Sequence, residues 1–253
     1  MLRKLLKYEF ASVGRVLIPL YGALIVLSVI TGAQLKFSKM NEGFLDVIFV
    51  LLLVSGSVAA LVITAMILIR RFSSNLLGDE GYYTLSIPAS INQHILSKTI
   101  TASGWALIGI ITAILIGIIL GSFAGGTDFA PLNATKKEKG MLTIVILEMV
   151  FIVLTWASWL ALKIYTSISI GHISQKLQGL IAVGVFLLLS GVESFIGTVL
   201  IRASLPVRNI TAVDYSFAAL TGDLFLSIVI GLIYSAIYFF ITNLILRKKL
   251  NLR

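Results

Sequence analysis

The chain has 253 residues, 58% hydrophobic and only 12% charged, with a mean hydropathy of +1.03. A soluble domain carries about 25% charged residues, and a soluble fold of this length could not cover so much apolar surface. Composition therefore excludes an ordinary soluble enzyme, a disordered chain and a coiled coil. The absence of cysteine excludes thiol catalysis, disulfides and thiolate metal sites.

The net charge of +9 would suggest nucleic acid in a soluble protein. Here the basic residues flank apolar runs, where they record orientation in a membrane. No nucleic-acid partner is expected, and the lipid bilayer is the natural solvent.

In chain order, residues 1–13 read as an amphipathic interfacial helix. At 100° per residue Leu2, Leu5, Leu6, Phe10 and Val13 share one face, and Arg3, Lys4 and Lys7 share the opposite one. Glu9 falls inside the apolar arc and calls for a cationic or hydrogen-bonding partner.

Six apolar runs follow, each long enough for a spanning helix of about 20 residues. They cover 16–33, 44–69, 99–123, 141–162, 180–201 and 225–246. The first is longer than the core of a cleaved signal, so it is expected to stay as an anchor. No period-2 alternation suggests a β-barrel. The expected fold is all-α and polytopic, a single transmembrane domain over 1–253.

Orientation follows from Lys and Arg. Arg3, Lys4, Lys7, Arg15, Arg70, Arg71, Lys98, Lys163, Lys176, Arg247, Lys248, Lys249 and Arg253 fall on one side, thirteen against seven on the other. The richer side is expected to be cytoplasmic, which puts both termini inside. Trp105, Trp156 and Trp159 are read as an aromatic belt near that side. Asp46 is expected to reach the headgroups at the outer end of the second span.

The segment 70–98 is the most informative. Gly78 and Gly81 bracket the acidic pair Asp79-Glu80, and Tyr82-Tyr83 follow. Pro88 breaks any helix there. Ser90 and Gln93 then form a capping-box pattern, predicting a new helix from about Ile91 into the third span. An exposed acidic-aromatic knob between two helices has the composition of a docking element.

Within the apolar layer, Glu148 and Glu193 are counted at similar depths in the outer half and so are expected to share a layer. Thr155 and Trp159 lie on the stripe of Glu148, and Tyr234 and Tyr238 share a face of the sixth span with Ser227 and Gly231. Intramembrane acids mark transport paths or interhelical hydrogen bonds, so Glu148, Glu193, Thr155, Tyr234 and Tyr238 are the candidate path residues. Gly117, Gly121 and Gly125, spaced by four, predict tight helix packing within one subunit or across a dimer. No H-E-x-x-H pair and no intramembrane histidine supports a metal-dependent enzyme, and no metal site is expected. His172, with Gly171 and Ile173, marks a second contact candidate after the fourth span.

The residues Leu5-Leu6-Lys7-Tyr8-Glu9-Phe10, the Gly78–Tyr82 stretch running to Ile87-Pro88-Ala89-Ser90, and Leu96-Ser97-Lys98 resemble the permease subunits of type-2 ABC exporters, especially small six-span ones from Gram-positive bacteria. The resemblance implies that 1–13 is an elbow helix, and that Asp79, Glu80, Gly81, Tyr82 and Tyr83 form a short coupling helix for an ATPase. It further implies two permease subunits, alike or paralogous, with two ATPase subunits in a bacterial plasma membrane. The cargo expected is a peptide, an antimicrobial or another amphipathic compound. The chain has no G-x-x-x-x-G-K-[ST] loop, so it is not expected to be an enzyme itself; ATP and Mg would be bound by the partner, with no cofactor on this chain. The competing reading is a secondary transporter or channel that uses Glu148 and Glu193.

Overall fold

In the computed structural model the described residues are 1–38, 43–78, 89–123, 136–174, 177–204 and 217–250. The side chains of 136–139, 200–204, 217–220 and 249–250 lie outside that description. Six long helices account for nearly all of it: α1 (Leu2–Phe37), α2 (Phe44–Phe72), α3 (Ile91–Phe123), α4 (Lys136–Gly171), α5 (Gln178–Ser204) and α6 (Phe217–Leu250). Each contains a stretch long and apolar enough to cross a membrane. No strand occurs among the described residues. All six expected spans are present, each extended beyond its apolar run.

The ends have local causes. Ser90 caps α3: its carbonyl accepts from the backbone N–H of Gln93 and His94, and its hydroxyl from that of Gln93. α2 continues into a π turn, Ser73–Leu77. Gly78 closes it, donating its N–H to the Ser73 carbonyl.

Contacts fix the directions. Phe10 and Trp105 meet near the start of α1, and Gly32 and Phe123 near its end, so α1 and α3 run parallel. α2 runs back beside them, with Glu9 against Arg71 and Tyr21 against Thr64. In the second half α4 and α6 run parallel: Thr155 meets Gly231, and Thr166 bonds Thr242. α5 is antiparallel to both. Phe72 stacks on Tyr165 at 3.9 Å, joining the halves where α2 and α4 end. The start of α1 and the end of α6 therefore lie at one end of the bundle, here termed its N-terminal end.

The burial pattern is inverted relative to a soluble core. Leu180, Leu188 and Phe195 of α5 are exposed, whereas Ser28, Thr31, Thr101, Thr166 and Thr242 are fully buried. Exposed leucines beside buried hydroxyls suit helices solvated by hydrocarbon and joined by small polar residues. Most of these hydroxyls donate to a carbonyl one turn back, as Thr31 does to Leu27 and Thr166 to Leu162.

Two expectations need revision. α1 is one continuous helix through Pro19, with no break separating an interfacial segment at residue 13. The apolar arc of its first turns is turned inward: Val13 is buried and Phe10 packs beside Trp105, while Arg3, Lys4 and Lys7 are exposed. An amphipathic pattern reports one apolar neighbour, and here that neighbour includes α3. Likewise Trp105 is 4% exposed at the α1–α3 crossing, so it belongs to no interfacial belt. Within this single chain a Cβ on Gly117 would meet nothing within 4 Å, so of the two expected kinds of packing only that across a dimer stays open there. Tight approaches within the chain occur at Gly32, Gly104 and Gly171. Gly121 lies on α3 near its end, and Gly125 lies outside the described residues.

Candidate functional site

Trp159 and Lys163 stand one helical turn apart on the face of α4 that meets α5 and α6. The Lys163 Nζ lies 2.6 Å from Oε2 of Glu193 on α5. Both side chains are buried, 7% and 10% exposed. The indole N–H of Trp159 donates to Oε1 of Glu193 at 3.0 Å. The Tyr238 hydroxyl of α6 donates to the same oxygen. Each carboxylate oxygen is therefore satisfied.

Aromatic rings complete the enclosure. Lys163 Nζ lies 4.9 Å from the Phe186 ring centre and 5.5 Å from that of Trp159, within reach of ring-face attraction. Tyr234 stacks on Trp159 with centres 5.6 Å apart. Thr155, one turn before Trp159, is buried against Gly231 and donates to the Phe151 carbonyl. The arrangement is a neutral polar plug joining three helices. A cationic cargo would have to displace Lys163 to reach Glu193.

Glu148 is not part of it. α4 and α5 are antiparallel, so eleven residues back from Trp159 correspond to eleven forward from Glu193, at Ser204, the last residue of α5. Glu148 thus stands level with the end of α5, about 16 Å from Trp159 along the helix axis at 1.5 Å per residue. The expected shared layer does not form, because α4 extends well past α5 and depths counted from each helix's own end have no common origin. One oxygen of Glu148 is buried and has no hydrogen-bond partner among the described residues.

A second polar cluster ties the N-terminal end. Glu9 of α1 accepts from Arg71 Nε at 3.1 Å and from Lys98 Nζ at 2.9 Å. Arg71 also donates to the Ser12 hydroxyl, and Lys98 to the Arg71 carbonyl at 3.2 Å. This supplies the partner that Glu9 was expected to need. Two carboxylate oxygens receiving two cations from different helices make a three-helix clamp. At the other end Gln34 donates to Asp46 at 3.4 Å, so Asp46 also links α1 to α2.

Glu193, Tyr234 and Tyr238, all candidates from the sequence, come together in this cluster, whereas Lys163 stands in the sequence as a loop cation. The available signal was the i, i+4 spacing of Trp159 and Lys163 on a helix that runs to Gly171. Asp79, Glu80, Gly81, Tyr82 and Tyr83 lie outside the described residues. No metal-holding group of His, Asp or Glu occurs among the described residues.

The fold and its interior define an all-helical, multi-pass membrane protein. Compared with family models, curated proteins and solved structures, the chain gives no match in any of the three.

Proposed function

We propose that the chain is the transmembrane permease subunit of an ATP-driven ABC exporter in a bacterial plasma membrane. Two copies, or this chain and a paralogue, form the path, and separate cytoplasmic ATPase subunits bind ATP and Mg. The observation that carries the reading is the Glu9 clamp. Arg71 and Lys98 bracket the stretch that contains Asp79, Glu80, Gly81, Tyr82 and Tyr83, and both bond to Glu9. A force applied to that stretch by a nucleotide-driven partner would pass at once to α1, α2 and α3. The resemblance of the same segment to type-2 exporter permeases supports this assignment, as does the lack of a phosphate loop in the sequence. The cargo class is peptidic or amphipathic, suited to a path whose Glu193 is already neutralised by Lys163.

The test is co-expression with candidate ATPase subunits and purification through a tag on this chain. The expected outcome is a co-purifying ATPase that is lost when Glu80→Ala and Tyr82→Ala are combined. If none binds, and the chain alone carries proton- or cation-driven flux that Glu193→Gln abolishes, the competing secondary-transporter reading replaces this one. The buried Lys163–Glu193 pair is the observation that favours that alternative.

A further inference from the structure

We propose that a slot between α2 and α5, floored by α4, holds one acyl chain of an anionic phospholipid. The slot has a volume of 560 Å3, within the about 300–1,000 Å3 typical of sites for small molecules. Ile69 of α2 and Val183 and Phe186 of α5 form its walls, and Ile164 and Ile168 of α4 its floor. Of its four polar members, Ser73, His172 and Gln178 stand where their helices end or begin, and Ser167 on the floor has its hydroxyl committed to the Lys163 carbonyl of its own helix. The slot is thus polar at its rim and apolar in its depth.

Its dimensions suit one leaflet. From His172 to Ile164 on α4, and from Gln178 to Phe186 on α5, is eight residues, or about 12 Å at 1.5 Å per residue. Half of a hydrocarbon core about 30 Å thick is roughly 15 Å. All three helices are long and apolar enough to cross a membrane, and Val183 on the slot's wall is exposed, so the slot is open along its side. An apolar space of this kind takes an apolar occupant rather than water.

Charge selects the headgroup. No acidic side chain lines the slot. Arg70 stands between Ile69 and Ser73 along α2 and is exposed, whereas its neighbour Arg71 is turned to Glu9. A cation at the rim of a groove between spanning helices favours an anionic lipid headgroup. The Ser73 hydroxyl and the Gln178 amide add donors at the same level. Phe186 closes the deep end, and the Lys163 ammonium stands 4.9 Å from its ring centre. The acyl chain would therefore end against the ring that shields the buried ion pair.

The full chain is placed in nanodiscs of equal phosphatidylglycerol and phosphatidylcholine, extracted into detergent and examined by native mass spectrometry. Phosphatidylglycerol should be retained over phosphatidylcholine by about fivefold, the preference expected from one basic residue near the surface. Val183→Trp should abolish retention by filling the slot. Gly179→Trp should do the same from the rim, where a Cβ meets nothing within 4 Å; it serves if Val183→Trp fails to fold. Arg70→Gln should keep a lipid but lose the headgroup preference. Leu187→Trp, exposed on the same helix but outside the slot, should change nothing. Equal retention of the two lipids, or retention unchanged in both slot-filling variants, overturns the proposal. A wild-type chain that retains no lipid overturns it too. None of these readouts involves an ATPase, so failure here leaves the exporter reading standing.

Discussion

A carboxylate inside the apolar layer keeps its charge only where neighbours replace the water it has lost. For Glu193 the replacements come from two helices: Lys163 and Trp159 from α4, and Tyr238 from α6. Removing one partner of a buried pair costs about 3–5 kcal/mol, because the other charge is left uncompensated. Lys163→Ala should therefore lower the melting temperature of the purified protein in detergent. Combining Lys163→Met with Glu193→Gln, which removes both charges and keeps the volume, should restore most of the loss. The comparison is followed by intrinsic tryptophan fluorescence on heating. Equal melting of wild type and Lys163→Ala would mean that Glu193 is held by its two neutral donors alone. Thr155 is a different kind of residue. Its hydroxyl is already committed to its own helix and its body fills the space above Gly231, so it spaces α4 from α6.

Between elements, the close approaches are set by glycine, and they differ in how much they can yield. A Cβ on Gly171 would lie 2.5 Å from the backbone oxygen of Gln178, which cannot move without shifting the start of α5. A Cβ on Gly104 would lie 2.5 Å from the far edge of the Phe10 ring, a side chain near the start of α1 that can swing. Overpacking costs about 1–3 kcal/mol where the surroundings cannot give. Gly171→Ala should therefore sit near the top of that range and Gly104→Ala near the bottom, measured as the difference in thermal midpoint. The reverse order would mean that the short link between α4 and α5 is more compliant than the α1–α3 crossing. These contacts also show what the sequence carried. Spans were legible because hydrocarbon solvates them and selects long apolar runs, and the start of α3 was legible because Ser90 caps it. Helix neighbours were not, because almost every face is apolar and carries no marker of which side meets protein. Gly117, regular in spacing and open in space, and Gly171, isolated in sequence and tightly packed, make that contrast concrete. Lys163 was misplaced for a related reason: the apolar run stops at residue 162, whereas the helix continues two more turns to Gly171.

For the whole molecule the open question is which membrane face the N-terminal end of the bundle meets. The basic residues point inward, but the structure removes two from the reckoning. Lys98 and Lys163 are buried in ion clusters, 4% and 5% exposed, and report no loop orientation. Thirteen then falls to eleven against seven, still an excess on the side of the N-terminus, which is expected inside. With α1 and α3 parallel, α4 and α6 parallel, and α2 and α4 ending together, the start of α1 and the end of α6 must share a face. A chain without cysteine makes this directly measurable. Single cysteines at Tyr8, exposed near the start of α1, and at Asn251, just after α6, should resist a membrane-impermeant maleimide on intact cells and react after permeabilisation. A cysteine at Phe37, exposed at the far end of α1, should react on intact cells. Labelling of Tyr8→Cys and Asn251→Cys from outside would invert the molecule. It would also sink the exporter proposal, since the Glu9 clamp, with Arg71 and Lys98 from α2 and α3, would then face away from cytoplasmic ATP. Labelling of only one of that pair would break the six-span count itself. The expected pattern leaves the clamp where a nucleotide-driven partner could pull on it.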